Sequence, residues 1–193
     1  KVIGITGSYG KTSTKEFLAR ILGQKFRVLK TPEHQNSEVG ISNTILRSLT
    51  SEHEVFVCEM GAYNKGGIKL LADIAKPEIG IVTGVNEQHL ATFGSMENLL
   101  SAEGGIELVQ ALPPNGVVFV NQNSRFRAEY SGRVGIKYYG KAEDMKIEKE
   151  SVSFQVEHTP FRVAVYGGHN IENLLGAIGV ARELGMSVGE IAK

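Results

Sequence analysis

The chain has 193 residues, enough to bury a substantial hydrophobic core in one large or two small domains. Lysine plus arginine and aspartate plus glutamate each number 21, so no net charge directs the chain toward nucleic acid or an acidic membrane surface. We expect no membrane span and no signal peptide, and because Cys58 has no partner cysteine we predict a buried thiol in a cytoplasmic protein.

The first predicted strand is the apolar run from Val2 to Ile5, which leads into the glycine-rich turn Thr6-Gly-Ser-Tyr-Gly-Lys-Thr12. A helical pattern follows from Thr12. A glycine-rich turn between a strand and a helix predicts phosphate binding, because backbone N–H groups and the helix dipole point at the same place. Lys11 would reach the outer phosphates, and the Thr12 hydroxyl is placed to coordinate Mg²⁺. The pattern is a shortened P-loop, since Ile5 stands where the longer pattern has glycine.

The chain as far as residue 120 alternates strand-like and helix-like segments, which is typical of a parallel sheet with crossover helices. Apolar runs predict strands at 26–29, 54–59, 79–83 and 117–120. Apolar residues at helical spacing predict helices at 41–49, 68–74 and 99–112.

The remaining residues change character. Segments 134–139, 145–150, 152–156 and 161–166 alternate apolar and polar residues, which suits antiparallel strands with one solvated face. A helix is predicted from about Ile171 to Leu184, and Ser187 begins a last helical segment. We therefore predict one α/β domain, with a P-loop-containing, mostly parallel sheet flanked by helices and a small antiparallel β section near the C-terminus.

Two further side chains are expected at the same edge of the sheet as the phosphate loop. Glu59 ends an apolar strand, where open parallel sheets place their ligand crevice. No aspartate lies in that strand, so Glu59 is the available carboxylate for Mg²⁺, and a solvated strand-end acid is the alternative. His89 follows the next strand, where a metal ligand and an ordinary surface histidine are both compatible with the sequence.

Four segments, at 6–16, 59–62, 89–95 and 168–173, occur in the order found in the central ATP-binding domain of the Mur ligase family. The chain resembles this family over essentially its whole length, and is most similar to the branch that adds D-alanyl-D-alanine during peptidoglycan precursor synthesis. The resemblance implies that ATP phosphorylates the terminal carboxylate of a UDP-linked muramoyl peptide. The amine of D-alanyl-D-alanine then attacks the acyl phosphate and forms an amide.

The resemblance also implies roles for single residues. Lys11 would stabilise the transferring phosphoryl group, Thr12 and Glu59 would hold one Mg²⁺, and His89 would help to hold a second. For Asn170, capping of the predicted helix is the alternative to a place near the adenine, and both roles could coexist. The residues implied in ATP binding are Gly7, Ser8, Tyr9, Gly10, Lys11, Thr12 and Ser13 in the loop, with Asn170 and Asn173 near the adenine.

One departure from the family lies after the Phe-Gly-Ser segment. Relatives carry a carbamylated lysine there, which helps to hold the second Mg²⁺, whereas this chain has Glu103. We hypothesise that Glu103 supplies a permanent carboxylate in place of the carbamate. Its side chain is shorter, so a closer helix or a bridging water is needed, and Gly104 and Gly105 would either permit that approach or distort the turn. The alternative is an exposed helix acid.

A second departure lies in the polar loop 31–40, which in relatives is rich in asparagine and contacts the UDP-linked substrate. We predict substrate binding by Thr31, Asn36 and Ser37. His34 and Ser37 stand where asparagines are usual, which preserves hydrogen-bonding capacity but leaves the acceptor substrate open.

The family enzymes have three domains, and residues 1–193 correspond to the central one. We expect a monomeric domain that binds nucleotide weakly and does not ligate by itself, because domain closure completes such sites. Two alternatives remain: another Mur-type ligase, similar to folylpolyglutamate or cyanophycin synthetases, and a non-catalytic nucleotide-binding module. A GTPase is disfavoured, since the chain lacks an Asn-Lys-x-Asp motif.

Overall fold

A computed structural model describes residues 1–130 and 134–193. Its strands are β1 (Val2–Thr6), β2 (Val28–Lys30), β3 (Val55–Glu59), β4 (Ile79–Val82), β5 (Val117–Asn121), β6 (Gly135–Tyr139), β7 (Glu143–Ile147), β8 (Val152–Val156) and β9 (Thr159–Val163). Its helices are α1 (Lys11–Leu22), α2 (Glu38–Ser48), α3 (Gly67–Ala75), α4 (Leu90–Phe93), α5 (Met96–Ala102), α6 (Ile106–Ala111), α7 (His169–Glu183) and α8 (Val188–Ile191), with a 3₁₀ turn at Glu87–His89.

The first six strands form one parallel sheet in the order β2-β3-β1-β4-β5-β6. β1 therefore lies in the interior with β3 and β4 on either side, and the carboxyl ends of all three meet at one edge. The prediction of a parallel sheet flanked by helices is confirmed. The prediction for 134–139 is wrong in one respect, because β6 pairs in parallel with β5 instead of joining the antiparallel section.

Helices cover both faces of this sheet. Residues Ile3 and Ile5 of β1 point to one face, where α1 and α7 complete a core that contains Leu18 and Ile178. The opposite face packs against α2, α3, α5 and α6, and Cys58 lies fully buried there, as predicted. A sheet buried on both faces explains why its strands read as continuous apolar runs.

The predicted helix at 99–112 is in fact two helices, α5 and α6, and this prediction is wrong at its centre. Glu103 ends α5, and Gly105 begins α6 with a left-handed φ of 85°. A Cβ at Gly105 would lie 2.3 Å from a methyl carbon of Val82, so the glycine also lets the turn approach β4 closely. The break places Glu103 next to the carboxyl edge of the sheet.

A three-stranded antiparallel sheet, β7-β8-β9, precedes α7 and confirms the predicted antiparallel section. Phe154 and Phe161 stack across it with ring centroids 5.2 Å apart, and both rings join the core beneath α1 and α7. In the described part of the chain, no helix combines the length and apolar character that crossing a membrane requires.

Candidate functional site

The phosphate loop joins β1 to α1, and two glycines with positive φ hold its shape. Gly7 has a φ of 143° and Gly10 a φ of 81°, conformations that residues with a Cβ rarely adopt. Space is also limiting, because a Cβ at Gly7 would lie 2.0 Å from Thr83 Oγ1 and one at Gly10 would lie 2.4 Å from Asn173 Oδ1. The loop is therefore packed between the end of β4 and the first turns of α7.

Hydrogen bonds fix the loop to the segment that follows β4. The Ser8 N–H donates to the Gly84 carbonyl at 2.8 Å, and the Thr83 hydroxyl donates to the Tyr9 carbonyl at 2.6 Å. The Tyr9 ring covers Gly84, where a Cβ would lie 1.9 Å from a ring carbon. Gly10 is the N-cap of α1 and offers no side-chain acceptor, so the first N–H groups of the helix can bind an anion.

The Lys11 side chain curls back over the loop. Its ammonium donates to the Gly7 carbonyl at 2.6 Å and to the Ser8 carbonyl at 3.4 Å. Burial lowers the pKa of Lys11, and the negative charges of Glu103 and Glu59 partly oppose that shift. Both carboxylates therefore act on one ammonium, which joins them and the loop into a single site.

Glu59 lies at the carboxyl end of β3 and faces α1 with only 4% of its surface exposed. Its Oε1 accepts hydrogen bonds from the Thr12 hydroxyl at 3.0 Å and the Asn36 amide at 3.1 Å. Its Oε2 lies 3.2 Å from Lys15 Nζ. The backbone N–H of Glu59 donates to Thr31 Oγ1 at 3.0 Å. The structure thus brings together Thr12 and Glu59, the pair expected to hold the first Mg²⁺.

Two of the three residues expected to bind substrate contact Glu59, and the third caps a helix. Thr31 is fully buried, and its hydroxyl oxygen accepts the hydrogen bond from the Glu59 N–H. Asn36 contacts the carboxylate directly. Ser37 is the N-cap of α2 and accepts a hydrogen bond from the Gly40 N–H at 3.4 Å. Their roles toward a substrate stay predictions.

Glu103 points into the site and not into solvent. It is 3% exposed, its Oε1 lies 2.8 Å from His89 Nδ1, and its Oε2 accepts a hydrogen bond from the Ser8 hydroxyl at 2.5 Å. The glycine turn after α5 makes this approach possible, and the Tyr130 hydroxyl holds the turn by donating to the Gly104 carbonyl at 2.7 Å. The alternative, an exposed helix acid, is therefore wrong, and the role of Glu103 as a metal ligand stays a prediction.

The candidate metal donors form two pairs, Thr12 with Glu59 and His89 with Glu103. Among residues 1–130 and 134–193, no group of three or more histidine, cysteine, aspartate or glutamate side chains could hold a metal by itself. Mg²⁺ is commonly held by one or two carboxylates together with water and substrate phosphates. The donor set therefore fits Mg²⁺ shared with a nucleotide better than a closed protein site.

Asn170 and Asn173 lie together in the first turns of α7, next to the loop. The Asn173 amide donates to Asn170 Oδ1 at 3.1 Å, and Asn173 Oδ1 accepts from the Thr14 hydroxyl at 3.4 Å. The alternative reading of Asn170 as an N-cap is wrong, because α7 begins at His169 and the Asn170 amide donates to the Tyr166 carbonyl at 2.8 Å. Ser13 occupies the first turn of α1.

The sequence reasoning missed Lys15, whose side chain is completely buried on α1. Its Nζ lies 3.2 Å from Glu59 Oε2 and 3.4 Å from Glu16 Oε1. A signal was present in the sequence, since Lys15 shares the helical spacing of Leu18 and Leu22 and so falls on the apolar face of α1. A lysine at such a position calls for a buried counter-charge.

Comparison with known proteins places the chain in one family. The family sequence model described as Mur ligase middle domain matches residues 5–181. The chain is 35% identical, over 189 residues, to the UDP-N-acetylmuramoyl-tripeptide–D-alanyl-D-alanine ligase of Synechocystis sp., covering 96% of this chain and 41% of that protein. It is 31% identical, over 203 residues, to the Bacillus subtilis enzyme of the same name, covering 100% and 43%.

Solved structures show the same likeness. The chain superposes on MurF from Acinetobacter baumannii with a TM-score of 0.89 and 30% identity, covering all of this chain and 44% of that one. The corresponding values for Thermotoga maritima MurF in complex with ADP are 0.84 and 28%, with 48% of that chain covered. The chain thus spans less than half the length of each of these four relatives.

Proposed function

The chain belongs to the Mur ligase family as a middle domain, and from that premise we propose that it is the ATP-binding domain of an amide ligase of peptidoglycan precursor synthesis. The ligase joins D-alanyl-D-alanine to a UDP-N-acetylmuramoyl-tripeptide, the reaction for which the relatives are named. Within it, residues 1–193 act as one central domain, monomeric and in the cytoplasm.

The observation that carries the nucleotide part of the proposal is the contact between Thr12 and Glu59 beside the phosphate loop. Their side chains come from α1 and β3, are 47 positions apart in the chain, and meet at 3.0 Å. A hydroxyl and a carboxylate next to a phosphate-binding loop are the donors with which P-loop proteins hold the Mg²⁺ of a nucleoside triphosphate. A solved relative, MurF from Thermotoga maritima in complex with ADP, supports binding of an adenine nucleotide by this chain.

The chemistry asks for positioning of a phosphoryl group and not for an enzyme nucleophile. The terminal carboxylate of the tripeptide takes the γ-phosphoryl group of ATP, which gives an acyl phosphate and ADP. The amine of D-alanyl-D-alanine then attacks the acyl carbon, loses a proton and expels inorganic phosphate as the amide forms. In the first step Lys11 leaves the Gly7 carbonyl, which it now contacts at 2.6 Å, and pairs with the phosphoryl oxygens.

Bound Mg²⁺ would neutralise charge on the triphosphate during transfer. Thr12 and Glu59 would hold one ion, and His89 and Glu103 the second. Glu103 would act as a permanent carboxylate, and it lies 2.8 Å from His89 Nδ1, so the two side chains that would hold the second ion are adjacent. Gly7, Ser8, Tyr9, Gly10 and Ser13 would bind phosphate, and Asn170 and Asn173 would lie near the adenine.

The substrate side of the site would be the loop that carries Asn36 and Ser37. Asn36 already contacts Glu59 at 3.1 Å, so a substrate bound by this loop would lie next to the first metal position. Thr31 would support Glu59 from behind. The polar character of the loop suits the hydroxyl, amide and phosphate groups of a UDP-linked peptide.

The full-length protein tests this function directly. We would incubate it with MgATP, UDP-N-acetylmuramoyl-tripeptide and D-alanyl-D-alanine, measure ADP by a coupled assay, and identify the product by mass spectrometry. We expect ADP release and a product heavier by one D-alanyl-D-alanine minus water. Glu107→Gln serves as a control for a buried carboxylate outside the site, since Glu107 accepts hydrogen bonds from the N–H groups of Lys69 in α3 and of Gly66, the N-cap of α3.

A panel of amino acceptors, with glutamate among them, separates this reading from other Mur-type ligases. Ligation of another acceptor with D-alanyl-D-alanine inert would contradict the proposed substrate. Nucleotide binding without ADP release under any acceptor would favour a non-catalytic module. The 193-residue chain alone should bind nucleotide and form no amide, because the residues it contains complete only part of a site that domain closure assembles.

A further inference from the structure

Lys15 has an environment that the proposed chemistry does not yet use. Its side chain is completely buried, and among the described residues its Nζ makes no hydrogen bond. Two carboxylates lie within ion-pair distance, Glu59 Oε2 at 3.2 Å and Glu16 Oε1 at 3.4 Å. Removing an ammonium from water costs a large amount of free energy, so these carboxylates must compensate its charge.

The two carboxylates are not equivalent partners. The Glu16 side chain is 44% exposed and already pairs with the Lys30 ammonium through its other oxygen. Water therefore screens its charge, as for other exposed ion pairs. The Glu59 side chain is 6% exposed and has no other cationic contact among the described ion pairs. Glu59 is thus the main counter-charge of Lys15.

Because of this pairing, the two oxygens of the Glu59 carboxylate have different surroundings. Oε2 lies on the Lys15 side, inside the protein. Oε1 lies on the side of the phosphate loop, where the Thr12 hydroxyl at 3.0 Å and the Asn36 amide at 3.1 Å contact it. A carboxylate held at one oxygen can offer a cation only the other.

We propose that Lys15 is a positioning residue that makes Glu59 a one-oxygen ligand and thereby favours Mg²⁺ over Ca²⁺ at the nucleotide site. This inference rests on the proposed MgATP site at Thr12 and Glu59. Mg²⁺ demands a compact octahedral shell and takes one oxygen from a carboxylate, whereas Ca²⁺ accepts more ligands and readily takes both. With Lys15 on Oε2, the second oxygen is withheld from the larger ion.

Nucleotide binding to the 193-residue chain tests the inference without a catalytic readout. We would measure the dissociation constant of a fluorescent ATP analogue in EDTA, in Mg²⁺ and in Ca²⁺, for wild type and Lys15→Met. In the variant we expect the tightening by Mg²⁺ to fall by about tenfold, the scale on which residues behind a metal ligand act. The tightening by Ca²⁺ should fall less, and binding in EDTA should stay unchanged.

Two matched variants identify the route by which Lys15 acts. Glu16→Gln removes the other carboxylate near the ammonium and should keep the Mg²⁺ preference. Lys69→Met removes an exposed helical lysine that pairs with Asp73, and it should also keep that preference. The inference would be overturned if Mg²⁺ and Ca²⁺ each tightened analogue binding to Lys15→Met as much as to the wild type. It would also be overturned if Glu16→Gln lost the preference for Mg²⁺ over Ca²⁺.

A double variant covers the case in which Lys15→Met does not fold. Lys15→Met with Glu59→Gln removes both charges together, and it is compared with Glu59→Gln alone. If Lys15 acts through Glu59, the two proteins should bind the analogue equally under all three conditions, and a further loss in the double variant overturns the inference. Failure of the wild-type chain to bind the analogue more tightly in Mg²⁺ than in EDTA would instead refute the proposed function.

Discussion

His89 Nδ1 lies 2.8 Å from Glu103 Oε1, although the two residues are 14 positions apart and belong to different helical segments. The contact depends on the left-handed Gly105, which ends the run of α5 and lets the turn approach β4. A residue with a Cβ at position 105 would push this turn away from β4, and Glu103 two positions earlier would move with it. Gly105 therefore helps to place this acid in the site.

The first prediction concerns Glu103→Ala in the full-length protein and rests on the proposed ligase activity. We expect the Mg²⁺ concentration for half-maximal activity to rise by about tenfold, because one of two carboxylates near the triphosphate is lost. Activity of the wild type should not change when bicarbonate and CO₂ are removed, since a glutamate needs no carbamylation. Both are measured by ADP release.

Glu97→Ala is the matched control, because Glu97 lies in the same helix with 85% of its side chain exposed. It should leave the Mg²⁺ requirement unchanged. If the wild type lost activity without bicarbonate and CO₂ and regained it when bicarbonate was added, the role assigned to Glu103 would be contradicted.

The second prediction compares alanine at two left-handed glycines. Gly10 and Gly66 have φ values of 81° and 90°, so alanine at either costs about 1–2 kcal/mol in backbone strain. At Gly10 the new Cβ would also lie 2.4 Å from Asn173 Oδ1, whereas nothing lies within 4 Å of it at Gly66. Gly10→Ala should therefore lower the free energy of unfolding by at least about 1 kcal/mol more than Gly66→Ala, as expected for overpacking.

Urea unfolding of both variants measures this difference in stability. A nucleotide titration of each variant then measures its affinity. Gly10→Ala should also bind nucleotide more weakly, because its Cβ displaces the loop or Asn173, while Gly66→Ala should bind as the wild type does. Equal stability of the two variants would show that the loop relaxes without cost.

The third prediction concerns pH and Tyr139, whose hydroxyl donates to the Val82 carbonyl at 3.1 Å. Burial, with a smaller contribution from the charge of Glu172, raises the pKa of Tyr139 above its ordinary value of 10.0. The unfolded chain then releases this proton at lower pH than the folded chain. The stability contributed by the protonated phenol is complete below pH 10.0 and is lost as the pH rises above it.

Tyr139→Phe should consequently destabilise the protein by about 1 kcal/mol at neutral pH, through loss of a hydrogen bond. The difference in unfolding free energy between the variant and the wild type should shrink by about 1 kcal/mol between pH ~10 and ~11. Over this range the wild type loses the stability that its protonated phenol contributes, whereas the variant has no phenol to titrate. Denaturant unfolding at three pH values measures both effects. Tyr138→Phe, at an exposed neighbour, is the control at neutral pH, and a deficit that stays constant with pH would refute the linkage.

The sequence by itself determined the features that depend on neighbouring residues. The phosphate loop follows from glycines between an apolar run and a helix, and glycine adopts the φ of Gly7 and Gly10 without strain. The parallel sheet follows from apolar runs that alternate with helical periodicity. Glu59 could be placed at the rim because the carboxyl ends of neighbouring parallel strands share one edge.

The tertiary structure alone decided how distant residues meet. Pairing of 134–139 with β5 depends on a free sheet edge and not on the alternation within the segment, so its direction was mispredicted. The place of Glu103 depends on where one glycine turn packs against β4, and the burial of Lys15 depends on the carboxylate that β3 brings to α1. Local propensity acts over a few residues, whereas these contacts join side chains from separate elements. The loop and Glu59 could therefore be found in the sequence, but the burial of Lys15 and the approach of Glu103 to the loop were decided only by folding.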